Sequence, residues 1–118
     1  MDTLYWSARA KAADAIAVLL EQKGAAAISG DALPWREMGG FALAVAPKGA
    51  HRYPVVVECP EFRIRLTDSD RLPTVYWELR SAFIHEVGVE KAYAESQAIA
   101  AEIVGAALTD SRCSRIDL

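Results

Sequence analysis

Cysteine and histidine are scarce in this chain, with two of each, and that scarcity speaks against several chemistries at once. Cys59 and Cys113 stand far apart, with no second cysteine or histidine at ligand spacing, so they read as reduced thiols and not as a staple or a zinc site. Long apolar runs are missing too: no stretch approaches the ~20 uninterrupted apolar residues of a membrane span. The first residues carry Asp2 and no basic run ahead of an apolar core, so a secretory leader is not expected and a cytoplasmic location is. Positive charge is not in excess. Thirteen Lys and Arg against 16 Asp and Glu leave a net charge of −3. That balance argues against holding a nucleic-acid backbone through bulk charge, but it leaves room for a local basic face.

Complete catalytic motifs are lacking as well. His85-Glu86 opens like a zinc-protease helix, yet the second histidine is absent and Val89 stands in its place. Gly39-Gly40 precedes an apolar alternating run instead of linking a strand to a helix, so it reads as a turn and not as a phosphate cradle. Cys59 has Glu58 and Pro60 beside it and no cation to lower its pKa, which disfavours a nucleophilic thiolate. Glu58, Glu61, Asp68, Asp70, Glu78 and Glu86 supply carboxylates, but nothing in their spacing fixes a pair, and they read as solvated surface. The expectation is therefore no catalytic residue, no metal ligand and no cofactor, in a protein that is not an enzyme.

What is present is foldable. Hydrophobic residues make up 53% and charged residues 25% of 118 residues, a globular balance at the length of one domain spanning 1–118. Thr3 to Ser7 is β-branched and aromatic and reads as a strand. Ala8 to about Ile28 has helix formers with apolar residues at Ala12, Ala13, Ile16, Leu19 and Leu20, which predicts a helix with Ser7 as N-cap. Pro34 and Gly39-Gly40 bracket a connector. Strands are then expected over Phe41–Ala46 and Arg52–Glu58, the latter at a sheet edge or with Pro54 near its start. Phe62, Ile64 and Leu66 alternate with Arg63, Arg65 and Thr67, and Val75, Trp77 and Leu79 alternate with Tyr76, Glu78 and Arg80. That period of two predicts a hairpin with one wet face, on which Arg–Glu pairs would form. From Gly88 to Leu108 the apolar spacing turns helical, and Ser114 to Leu118 resumes as a strand. The fold class is α+β: a mainly antiparallel sheet of about four to six strands with two helices packed on one face.

The strongest binding signal lies on the wet face. Arg63, Arg65 and Arg80, with Arg52 before them and Tyr76 interleaved, are the candidate contact residues, because arginine holds phosphates and tyrosine stacks on bases. Three short stretches add a resemblance: Asp2-Thr3-Leu4-Tyr5, Val75 to His85 followed by Gly88, and Ser114-Arg115-Ile116-Asp117-Leu118. Their order resembles the amino-terminal region of rolling-circle replication initiator proteins of plasmids and phages. In that family a nicking tyrosine and carboxylate or histidine metal ligands act on DNA. No His-hydrophobe-His motif occurs here. The resemblance therefore implies a noncatalytic DNA-contacting or accessory portion, or a shortened relative, which binds DNA or a replication protein. Two other classes stay open: a small inhibitor or adaptor from a mobile element that docks on a host protein, and a homodimer paired through an edge strand such as Arg52–Glu58.

Overall fold

The computed structural model describes residues 3–50 and 52–117, with side chains through residue 113. Met1, Asp2, His51 and Leu118 lie outside the described residues, so two positions of the resembling stretches carry no structural statement. The elements in chain order are β1 (Thr3–Arg9), α1 (Ala13–Ser29), β2 (Leu33–Met38), β3 (Phe41–Val45), β4 (Val55–Glu58), β5 (Phe62–Leu66), β6 (Val75–Arg80), α2 (Ser81–Val87), α3 (Val89–Val104) and β7 (Thr109–Asp117). The strands form one antiparallel sheet in the order β2-β3-β4-β5-β6-β1-β7. The α+β class holds, with seven strands and three helices where the sequence pattern had suggested up to six and two.

One face of the sheet builds the core. Leu43, Val45, Val57, Ile64 and Trp77 from the strands join Ile16, Leu19, Phe83, Ile84 and Ile99 from the helices in a single buried cluster. The alternation of β5 and β6 does this directly, since every second residue must point the same way. Register Arg63↔Glu78 and Arg65↔Tyr76 confirms the expected hairpin. Trp77 is fully buried, and its indole N–H donates to the Ser96 hydroxyl at 3.1 Å, which ties β6 to α3.

Four boundaries differ from the sequence reading, each for a local reason. β1 runs on to Arg9, so Ser7 is a buried strand residue and not an N-cap; α1 starts after Ala12, with no side-chain cap. The supposed connector at Pro34 is strand β2, an edge position where the missing proline N–H costs no ladder bond. Gly39 and Gly40, at φ 56° and 86°, then make the tight hairpin turn into β3, a conformation that residues with a Cβ resist. β4 begins only at Val55, and it lies between β3 and β5. The Arg52–Glu58 segment is therefore no edge strand, and its hydrogen-bonding sides are both occupied. The outer strands are β2 and β7. Finally, Ser81–Val87 forms the separate helix α2, broken from α3 at Gly88.

Candidate functional site

The helices cover one side of the sheet, and the opposite side carries the candidate residues. Tyr5 and Ser7 of β1, Arg63 and Arg65 of β5, and Tyr76, Glu78 and Arg80 of β6 share that open face by strand alternation and register. Across it runs a row of three rings. Tyr5 and Tyr76 have centroids 5.6 Å apart, and Tyr76 and Tyr53 have centroids 5.8 Å apart. The Arg65 guanidinium lies 5.5 Å from the Tyr76 ring centroid, a cation–π placement. Tyr53 is buried and donates its phenol O–H to the Pro73 carbonyl at 3.0 Å. Burial first, then the neighbouring Tyr76, pushes its phenol pKa up, while Arg65 and Arg9 pull the other way. It is the fixed end of the row; Tyr5 and Tyr76 are the partly exposed members.

The charges on this face are partly paired. Arg63 Nε meets Glu58 Oε2 at 3.2 Å, and Arg65 Nη2 meets Glu78 Oε2 at 3.6 Å. The first pair follows from the register Glu58↔Arg63 between β4 and β5. The second is diagonal and loose, and the Arg65 Nε–H finds no acceptor among the described residues. Both pairs are part-buried, and each carboxylate takes up part of the charge of its arginine. Arg80, Arg9 and Arg112 extend the cationic side across β6, β1 and β7, and none of the three has an ion pair among the described residues. Six acids instead sit on the helices: Asp14, Glu21, Glu86, Glu90, Glu95 and Glu102.

The structure thus brings Arg63, Arg65, Tyr76 and Arg80 together. Arg52 is placed apart, exposed in the turn before β4 at φ 64°. Sequence reasoning missed Tyr5, Arg9 and Arg112. The signal for the first two was the continued alternation Tyr5, Ser7, Arg9, obscured by starting the helix at Ala8. A different feature lies at the end of the sheet, where a groove of about 760 Å³ opens among the β1–α1 connection, the β5–β6 loop and the α3–β7 turn.

Other reactive groups are quiet. Cys59 is buried, its thiol faces the Phe62 carbonyl at 3.7 Å, and burial raises its pKa from 9.0 to about 11. Among the described residues no group of three or more His, Cys, Asp or Glu could hold a metal ion, and no helix is long and apolar enough to cross a membrane. No family model matches the chain, and neither a curated protein nor a solved structure does.

Proposed function

We propose that this chain is a noncatalytic nucleic-acid-binding domain of the kind associated with plasmid and phage replication initiators, and that it takes a single strand on the open face of its sheet. The row Tyr5–Tyr76–Tyr53 with Arg65 over Tyr76 carries the reading. Rings spaced along a face suit successive bases, which stack on aromatics with little regard to sequence, and the surrounding arginines suit the phosphates. Six of the sixteen acids lie on the helices and two on the open face, which supports it, because a chain of net charge −3 can still present a cationic face if most of its acids are elsewhere.

The test is a fluorescence-anisotropy titration of oligo(dT). Salt-sensitive binding is expected, with Tyr76→Ala weakening it by about tenfold, the loss of one stacked base. Unchanged affinity in the Arg63→Ala, Arg65→Ala double variant would sink the assignment of this face. A second reading rests on α1, which leaves Val18, Leu20 and Ile28 exposed at 50%, 44% and 90%. That apolar surface favours an adaptor or inhibitor that docks on a protein. A flat oligonucleotide titration would turn attention there.

A further inference from the structure

Arg9 and Arg112 meet at the margin of the open face, beyond the row of tyrosines. Ser7 pairs with Arg112 across β1 and β7, and Arg9 pairs with Thr109, so the two arginines are diagonal neighbours. In a regular ladder such neighbours stand about 7–8 Å apart, within joint reach of one anion for side chains as long as arginine. The register slips between Ser7 and Arg9, and Asp110 of β7 stands there at φ 51°, in the left-handed region that a residue with a Cβ resists. This irregularity leaves a depression of about 170 Å³ lined by Ser7, Arg9, Pro73, Asp110 and Arg112. Pockets for whole small molecules begin near ~300 Å³, so this one has room for a single polyatomic ion and a few waters of about 30 Å³ each.

The charges select the sign of that ion. Like charges on neighbouring strands repel unless a counter-ion lies between them. Neither Arg9 nor Arg112 has an ion pair among the described residues, even though Asp110 lines the same depression. Guanidinium groups grip phosphate oxygens two at a time through their planar forks. The depression is also continuous with the row of rings. Register places Arg65 beside Tyr76, Tyr76 beside Ser7 and Ser7 beside Arg112, one rung across four strands. The Pro73 carbonyl, at the depression, accepts the Tyr53 phenol O–H, and against the burial that raises that phenol's pKa the Arg9 cation pulls it down. Only one strand spacing, about 4.8 Å, separates Tyr76 from Ser7. A base stacked on Tyr76 therefore leaves its backbone next to the depression.

The position in the sheet selects the kind of phosphate. β7 is the outermost strand on this side, so a nucleic acid that follows the rung from Arg65 reaches the margin of the sheet at the depression. A terminal phosphate monoester carries about −1.5 to −2 charges at pH 7, whereas an internal phosphodiester carries about −1, and two arginines match the former. We infer that the depression at the β1–β7 bulge seats the terminal phosphate of a single strand whose bases lie on the tyrosine row, with Arg9 and Arg112 as its grip. The inference deepens the single-strand reading and rests on it. Asp110 lies against the same anion and holds its affinity down.

The test is fluorescence anisotropy on the full chain with labelled oligo(dT) in a 5′-phosphorylated form, a 3′-phosphorylated form and a form without terminal phosphate. Whichever end the depression takes, that phosphorylated form is expected to bind about tenfold tighter than the plain one, the worth of one charge-assisted hydrogen bond. The Arg9→Ala, Arg112→Ala double variant should abolish the gain. Arg80→Ala should weaken all forms alike and keep the gain, which separates a seated phosphate from mere added charge on a cationic face. Asp110→Asn should enlarge it, because the change removes a like charge and asparagine tolerates the left-handed backbone. Equal affinity for all forms, or a gain that survives the loss of both arginines, overturns the proposal. If plain oligo(dT) binds and neither phosphorylated form gains, the depression inference alone falls; if no form binds, the single-strand reading falls with it.

Discussion

Removing acids from the open face should tighten nucleic-acid binding, and the size of the effect follows from the ion pairs. Five arginines, Arg9, Arg63, Arg65, Arg80 and Arg112, belong to this side, but Glu58 and Glu78 pair with two of them at 3.2 Å and 3.6 Å. With about three arginines free to displace counterions, the log–log salt slope for a single strand should be about −2, a loss of roughly 15–20-fold between about 50 and 200 mM salt. The Glu58→Gln, Glu78→Gln double variant frees the other two. Its slope should steepen to about −3.5, a loss of roughly 100-fold over the same range, with tighter binding at the low-salt end. Gln keeps the shape and an acceptor for Arg63 Nε, so the fold should weaken by about 1–2 kcal/mol, the sum of two part-buried pairs. Anisotropy at four salt concentrations gives both slopes, and circular dichroism checks the fold. An unchanged slope in a folded variant would show that these arginines do not meet phosphates.

Three further outcomes follow from the packing. Ser96→Ala should cost about 1–3 kcal/mol in urea unfolding, because it strands the buried Trp77 indole N–H; adding Trp77→Phe should cost less than the sum of the two single changes, and strict additivity would refute the pairing. Gly49→Ala places a Cβ 2.5 Å from the Tyr53 carbonyl oxygen, so the turn must shift, with a loss of about 1–3 kcal/mol and weaker oligo(dT) binding through displacement of Tyr53. At neutral pH a thiol reagent should modify exposed Cys113 and spare Cys59. The fold favours the protonated Cys59 thiol, so its contribution is fully present below pH 9.0 and is lost as the pH rises through about 11. Prompt labelling of both thiols in the folded chain would contradict the burial.

The hairpin β5–β6 was legible because two independent cues agreed: a strict period of two, and charges of opposite sign on the wet positions of both strands. α3 was legible for the same kind of reason, its buried Ala92, Ser96, Ile99 and Ile103 recurring at helical spacing. α1 was harder. It is apolar nearly all round, with only Ile16, Leu19 and Ala26 buried, so its periodicity could not mark its start, and the alanines at 8, 10, 12 and 13 blurred the junction with β1. β2 was hidden by Pro34 and by Trp35-Arg36-Glu37, residues that suit an edge strand as well as a loop. The candidate site divided along the same line. Arg63, Arg65, Tyr76 and Arg80 lie on the legible hairpin. Tyr5, Arg9 and Arg112 reach that face only through the insertion of β1 between β6 and β7, a long-range pairing that no local pattern encodes.

That insertion explains how an acidic chain can present a cationic surface. α1 carries the chain across the helical side, from β1 near one edge of the sheet to β2 at the other, and α2 and α3 carry it back from β6 to β7. Helices on one layer must show a polar face to water, and here that face takes six acids. The strands are left to show their second face alone, and each of β1, β5, β6 and β7 contributes arginine there. Net charge is a sum over both layers and so reports on neither. At long range a chain of net charge −3 weakly repels a nucleic acid, while attraction at the open face would act within about one Debye length, roughly 10 Å at ~0.1 M salt. The association rate should therefore depend less on salt than the lifetime of the complex does, and stopped-flow mixing with oligo(dT) would separate the two. A dominant effect of salt on the association rate would place the attraction in the whole molecule's field and not in the face.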